Sequence, residues 1–155
     1  MAARNRLVLI LLGSKKDEPR ISSLMETLTQ FDVGFDLVVS SAHRSPRQTA
    51  RIAEEAKTKG YEVIIAAAGL AAHLPGVVAS HTTLPVIGLP IAVPPLQGID
   101  ALLSILQMPS GVPVACVGLH EGAPKNAALL ALQILARKFP DYEKKLEDYK
   151  QTLGH

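Results

Sequence analysis

The sequence predicts an α/β domain: a three-layer flavodoxin-like (Rossmann-like) sandwich around a five-stranded parallel sheet. Three observations predict it. Short continuous apolar runs recur along the chain, as strands buried on both faces require. Stretches with apolar residues at helical spacing lie between them, so strands and helices alternate. Gly, Pro and Ser clusters punctuate the boundaries. This alternation implies parallel strands joined by right-handed crossovers, with helices on both faces. The expected strand order is 2-1-3-4-5.

The first strand is the run Leu7-Val8-Leu9-Ile10-Leu11-Leu12, closed by Gly13-Ser14. Residues 19–31 carry Ile21, Leu24, Met25 and Leu28 at helical spacing and predict the first helix. Gly34 breaks that pattern, and residues 35–39 form the second strand. Pro46 suits a first helical turn with Ser45 as its cap, and the helix runs to Lys59 before Gly60. Residues 63–67 give the third strand, followed by a small-residue turn and a short helix near 71–79. The fourth strand is 85–91, the next helix 98–108, the fifth strand 112–117, and a long helix covers 125–138. A last amphipathic helix, about 141–153, places Tyr142, Leu146, Tyr149 and Leu153 on one side, facing either its own domain or a partner. With no internal repeat and no linker, residues 1–155 read as one domain, its core about 7–138.

Composition narrows the function classes. The 155 residues are 48% hydrophobic and 19% charged, which fits a globular chain. A net charge of +2, scattered basic residues and the absence of Trp argue against nucleic acid as the main partner. The first apolar run is too short to cross a membrane, and no cleavage site follows it, so a cytoplasmic protein is expected. Cys116 is the one cysteine; it rules out an intrachain disulfide and reads as buried and structural. Residues 126–135 (NAALLALQIL) are apolar on nearly every face, which predicts cover by another subunit.

In such a sheet, ligands bind beyond the carboxyl ends of the strands, where loops meet helix N-termini. The loop at 13–19 brings Ser14, Lys15, Lys16 and Asp17 before a helix, which suits either a phosphate seat or a solvated turn. It lacks the P-loop pattern, so nucleoside triphosphate binding is not expected. The loop at 40–46 sets Ser41, His43 and Arg44 just after a strand. Arg44 offers a two-pronged donor to a phosphate, and His43 a proton carrier, unless it merely caps the next helix. The stretch at 66–76 is almost free of side chains before His73, which lets a planar ligand approach the backbone or simply packs tightly. Taken alone, His73 reads as structural. Its histidines stand on separate segments without ligand spacing, so no metal is expected, and no Gly-x-Ser-x-Gly elbow occurs.

Six motifs at these loops occur in order: Gly13-Ser14-x-x-Asp17, Ser41-Ala42-His43-Arg44-x-Pro46, Ala71-Ala72-His73-Leu74-Pro75-Gly76, Leu84-Pro85-Val86-Ile87-Gly88, Leu103-Ser104-Ile105-x-Gln107-Met108-Pro109 and Asn126-Ala127-Ala128-Leu129-Leu130. Together they resemble the N5-carboxyaminoimidazole ribonucleotide mutase family, the class I form of the phosphoribosylaminoimidazole carboxylase catalytic subunit. The resemblance implies a purine-biosynthesis isomerase, without cofactor or metal, that moves a carboxylate from an exocyclic nitrogen to ring carbon C4. It implies His43 as general acid and base. Ser14, Ser41 and Arg44 would hold the phosphate, with Lys16 beside them and Asp17 on the ribose. Gly69, Leu70, Ala71, His73 and Leu74 would close over the imidazole and carboxylate. A homo-octamer with sites at subunit junctions is the assembly the resemblance implies. Lys16, Ala67, Leu70 and Val93 depart from the family's pattern; a leucine at position 70 carries a steric cost if that backbone needs positive φ. The alternatives are direct carboxylation by carbon dioxide, a ribonucleotide-binding paralogue, and a carboxylating domain in pyridinium cofactor assembly.

Overall fold

The computed structural model describes residues 6–154; Met1–Asn5 and His155, part of the expected 1–155 domain, lie outside the described residues. Among the described residues, five parallel strands form one sheet in the order 2-1-3-4-5: β1 (Arg6–Leu12), β2 (Gly34–Val39), β3 (Val63–Gly69), β4 (Val86–Ile91) and β5 (Ala115–Cys116). The central strands are buried on both faces, which is why they read as unbroken apolar runs. Val8, Ile10, Leu12, Ile65 and Ile87 point to one face and meet α1 (Ser22–Gln30), α5 (Ala123–Ala136) and α6 (Pro140–Gln151). Leu9, Leu11, Ile64 and Ala66 point to the other and meet α2 (Pro46–Ala56), α3 (Leu74–Ser80) and α4 (Ile99–Leu106). This is the flavodoxin-like three-layer sandwich.

Several elements differ from expectation. The fifth strand shrinks from 112–117 to Ala115–Cys116, because Pro113 has no N–H to extend the ladder to β4. Cys116, on that edge strand, is half-buried rather than buried. The first helix begins at Ser22, since residues Lys15–Ile21, with Pro19 inside, wind as a 3₁₀ helix. α3 starts at Leu74 instead of 71, because Leu70 takes a left-handed conformation. Ser45 holds the N-cap position of α2, but its side chain makes no capping bond. The apolar α5 is covered within its own chain: it packs on α1, α6 and the sheet. Tyr142, Leu146 and Tyr149 of α6 supply part of that cover, while Leu153 stays exposed. The uncovered apolar surface lies instead on α4 and the loop before it, where Leu96, Ile99, Leu103 and Leu106 are each more than half exposed.

Candidate active site

The connection out of β1 leads to β2 on one side, and β3 lies on the other, so the strand order reverses between β1 and β3. Loops leaving a sheet at such a reversal diverge and open a crevice. A cavity of about 420 Å³ lies there, and every predicted site residue lines it. Ser14, Lys16 and Asp17 come from the loop after β1, and Ser41, His43 and Arg44 from the loop after β2. Gly69, Leu70, Ala71, His73 and Leu74 come from the end of β3 and the start of α3. Val93, beyond β4, completes the wall.

Local bonding shows how these loops are held. Gly13 continues the ladder through its N–H to the Ala67 carbonyl at 3.0 Å. Ser14 is extended (φ −150°), caps the 3₁₀ stretch, and accepts from the Lys16 N–H at 3.4 Å. After β2, the Ser40 N–H bonds the Leu12 carbonyl, and the buried Ser40 and Thr49 hydroxyls lie 2.8 Å apart, tying this loop to α2. The Ser41 hydroxyl accepts from the Arg44 N–H at 3.3 Å. Since Ser14 and Ser41 both accept from backbone, each O–H hydrogen is left to donate outward, as an anion would require. The Arg44 guanidinium donates to the Gly13 carbonyl at 3.4 Å, which brings its charge beside Ser14. Two hydroxyls and the cations of Lys16 and Arg44 therefore face one end of the cavity.

His43 turns the other way. It meets His73, 30 residues further on, Nε2 to Nδ1 at 2.7 Å with the rings edge to face. One of these nitrogens donates and the other accepts, so the bonded pair carries at most one imidazolium. This contact was not legible in the sequence, which left His73 a structural reading and gave His43 a capping alternative. His81 and His120 stay apart, the first with Glu54 and the second accepting from the Gly122 N–H. Among the described residues no group of three His, Cys, Asp or Glu is placed to hold a metal ion.

Two backbone features shape the remaining wall. A Cβ at Gly69 would sit 2.7 Å from Val93 Cγ2, so the absence of a side chain there lets the loops after β3 and β4 close together. Leu70 is held at φ +56°, with its side chain 52% exposed. Asp17 is the acidic group of the cavity. Burial pushes its carboxyl above the usual carboxylate range, and Arg20 nearby pulls it back.

Comparison with known proteins gives a consistent picture. The family model described as AIR carboxylase matches residues 7–155. The N5-carboxyaminoimidazole ribonucleotide mutase of Pyrococcus horikoshii is 48% identical over 153 residues, covering 99% of this chain and 85% of that one. The mutase of Pyrococcus abyssi is 50% identical over 144 residues, covering 93% of this chain and 82% of its own. Among solved structures, Treponema denticola PurE superposes with a TM-score of 0.85 at 28% identity, covering 95% of this chain and 90% of that one. No described helix is long and apolar enough to cross a membrane.

Proposed function

The chain belongs to the AIR carboxylase family, and on that premise we propose that its site converts N5-carboxyaminoimidazole ribonucleotide into 4-carboxy-5-aminoimidazole ribonucleotide. The reaction belongs to purine biosynthesis and relocates one carboxylate, as the names of the chain's relatives indicate. One observation carries the residue assignment: the adjacent residues His43 and Arg44 diverge within a single cavity. Arg44 joins Ser14 and Ser41 at an anion-binding end, and His43 joins His73 at a proton-transfer end.

In this reading the phosphate accepts from Arg44, Ser14 and Ser41, with Lys16 adding charge, and Asp17 accepts from the ribose hydroxyls. The ring and its carboxylate lie against Gly69, Leu70, Ala71 and Leu74. His43 begins as the imidazolium and protonates the exocyclic nitrogen as its bond to the carboxylate breaks, which leaves an amine and carbon dioxide. Ring C4, made nucleophilic by that amine, then attacks the carbon dioxide. The new C4 carboxylate forms while C4 still holds its hydrogen. Neutral His43 removes that proton, the ring regains aromaticity, and the imidazolium is restored. His73, bonded to His43, keeps the imidazole turned toward the ring in both stages. A cavity of about 420 Å³ keeps carbon dioxide beside C4 at high effective concentration.

We further infer that residues 1–155 act as one catalytic domain, that the protein works in the cytoplasm, and that it assembles as a homo-octamer. The exposed apolar face of α4 supports self-association.

Turnover of N5-carboxyaminoimidazole ribonucleotide by purified protein, without ATP or added bicarbonate, tests the reading. His43→Asn should lose turnover by at least about a thousandfold while ribonucleotide affinity stays within about tenfold, since proton transfer and not the phosphate clamp is removed. A variant with near-normal turnover would remove His43 from the role. Consumption of aminoimidazole ribonucleotide and carbon dioxide, with no use of the N5-carboxylated substrate, would favour direct carboxylation instead.

A further inference from the structure

Arg20, at the end of the 3₁₀ stretch, does not line the cavity, yet it touches both of its sides. Its Nε lies 4.0 Å from Oδ1 of Asp17, one turn earlier. A terminal guanidinium nitrogen donates to the carbonyl of Ala92, the first residue after β4, across 72 residues of sequence. Ala92 precedes Val93, whose methyl fills the space over Gly69. Contacts thus run without a gap from Asp17 through Arg20, Ala92 and Val93 to Gly69.

Each end of this chain matters to a ligand. The Asp17 side chain is only 14% exposed, and Arg20 is the cation paired with it. An ionised carboxylate accepts from two ribose hydroxyls more strongly than the neutral acid does, and a nearby guanidinium favours the ionised form. At the other end, Ala92 and Val93 begin the loop between β4 and α4, which includes Gln97 and Gly98 at positive φ. A side chain with donors aimed in two directions can hold both, and only arginine has that planar fork.

We propose that Arg20 is a positioning residue: it aims Asp17 at the sugar and fixes the Ala92–Val93 wall, setting the width of the cavity mouth. The inference rests on the reading that Asp17 takes the ribose hydroxyls. Arg20 needs no contact with the substrate to act this way. Its loss lowers affinity and leaves the proton transfers at His43 untouched.

The test measures affinity for 5-aminoimidazole ribonucleotide by calorimetry across pH, with KM and kcat alongside, for wild type, Arg20→Ala, Arg20→Lys, Asp17→Asn and the Arg20→Ala/Asp17→Asn double variant. Arg20→Ala should weaken binding and raise KM by about three- to tenfold, the range of a partly exposed charge pair plus one hydrogen bond, with kcat within about twofold. Affinity should also begin to fall at a higher pH than in wild type as the solution is acidified, because Asp17 has lost the cation that favours its ionised form. Lys16, Arg44, His43 and His73, the other charged or titratable groups around the cavity, are common to both proteins and cancel in the difference. Arg20→Lys should restore the position of that acid limb but not the full affinity, since one ammonium cannot span both partners. The double variant should lose less affinity than the sum of the two single losses, because the part of the Arg20 effect that runs through Asp17 is already gone. Wild-type affinity in Arg20→Ala, or additive losses in the double variant, would overturn the proposal. So would normal binding by Asp17→Asn alongside weak binding by Arg20→Ala. An inactive wild-type protein whose Arg20 variants still show the binding pattern would sink the mutase reading and leave Arg20 in its role.

Discussion

Leu70 sits where a glycine would be at ease. Its φ of +56° places Cβ against its own carbonyl, a cost of about 1–2 kcal/mol for a side-chain-bearing residue. With half of its surface in solvent, little burial offsets that cost. Leu70→Gly should therefore stabilise the protein by roughly 0.5–1 kcal/mol, after the extra backbone entropy of glycine is subtracted. For a chain of this size that is a rise of about 1–4 °C in thermal midpoint. A lower midpoint would mean that the isobutyl group holds the loop after β3 in place. The strain at this position was legible through the family resemblance, because Leu70 stands where that family's pattern has glycine. The bond between His43 and His73 was not. Both residues were visible, but which loops approach each other depends on the spatial order of β2, β1 and β3, and a side-chain contact across that order leaves no local signature.

At the scale of elements, α4 packs on the sheet through a glycine. A Cβ on Gly88 of β4 would fall 2.5 Å from Ile105 Cγ2 and 2.9 Å from Val114 Cγ1. Gly88→Ala should cost about 1–3 kcal/mol, the usual penalty of overpacking, and chemical denaturation would report it as a lower midpoint with unchanged slope. An unchanged midpoint would show that α4 yields easily. The long buried strands and the helices between them could be read from sequence because burial on both faces writes itself as an apolar run. β5 was legible too, but only its middle forms, since Pro113 interrupts the apolar stretch and the ladder to β4 holds at Ala115 and Cys116 alone. Hydrophobicity on all sides states that a helix is buried, but not whose side chains bury it, and here α1 and α6 of the same chain do so.

For the whole molecule, the sheet order alone places the loops after β1, β2 and β3 around one crevice, which is why residues scattered between Ser14 and Leu74 meet there. The location of the site could be read from sequence to that extent: its loops follow from topology, and the residues that the family resemblance singles out line the cavity there. The exposed apolar face of α4 could not, because α4 alternates buried and exposed apolar residues much as any core helix would. Leu96, Ile99, Leu103 and Leu106 form an apolar stripe that a lone protein in water would not be expected to expose. Leu103→Glu should therefore reduce the solution mass measured by light scattering while leaving the circular dichroism spectrum intact. A variant that keeps its full mass would move the interface elsewhere. The central claim, that one carboxylate travels within one cavity, is tested most directly with substrate carrying carbon-13 in its N5-carboxylate, turned over in unlabelled bicarbonate without ATP. Retention of the label in the C4 carboxylate is the predicted result. A product carrying unlabelled carboxylate, or no product at all, would contradict the account.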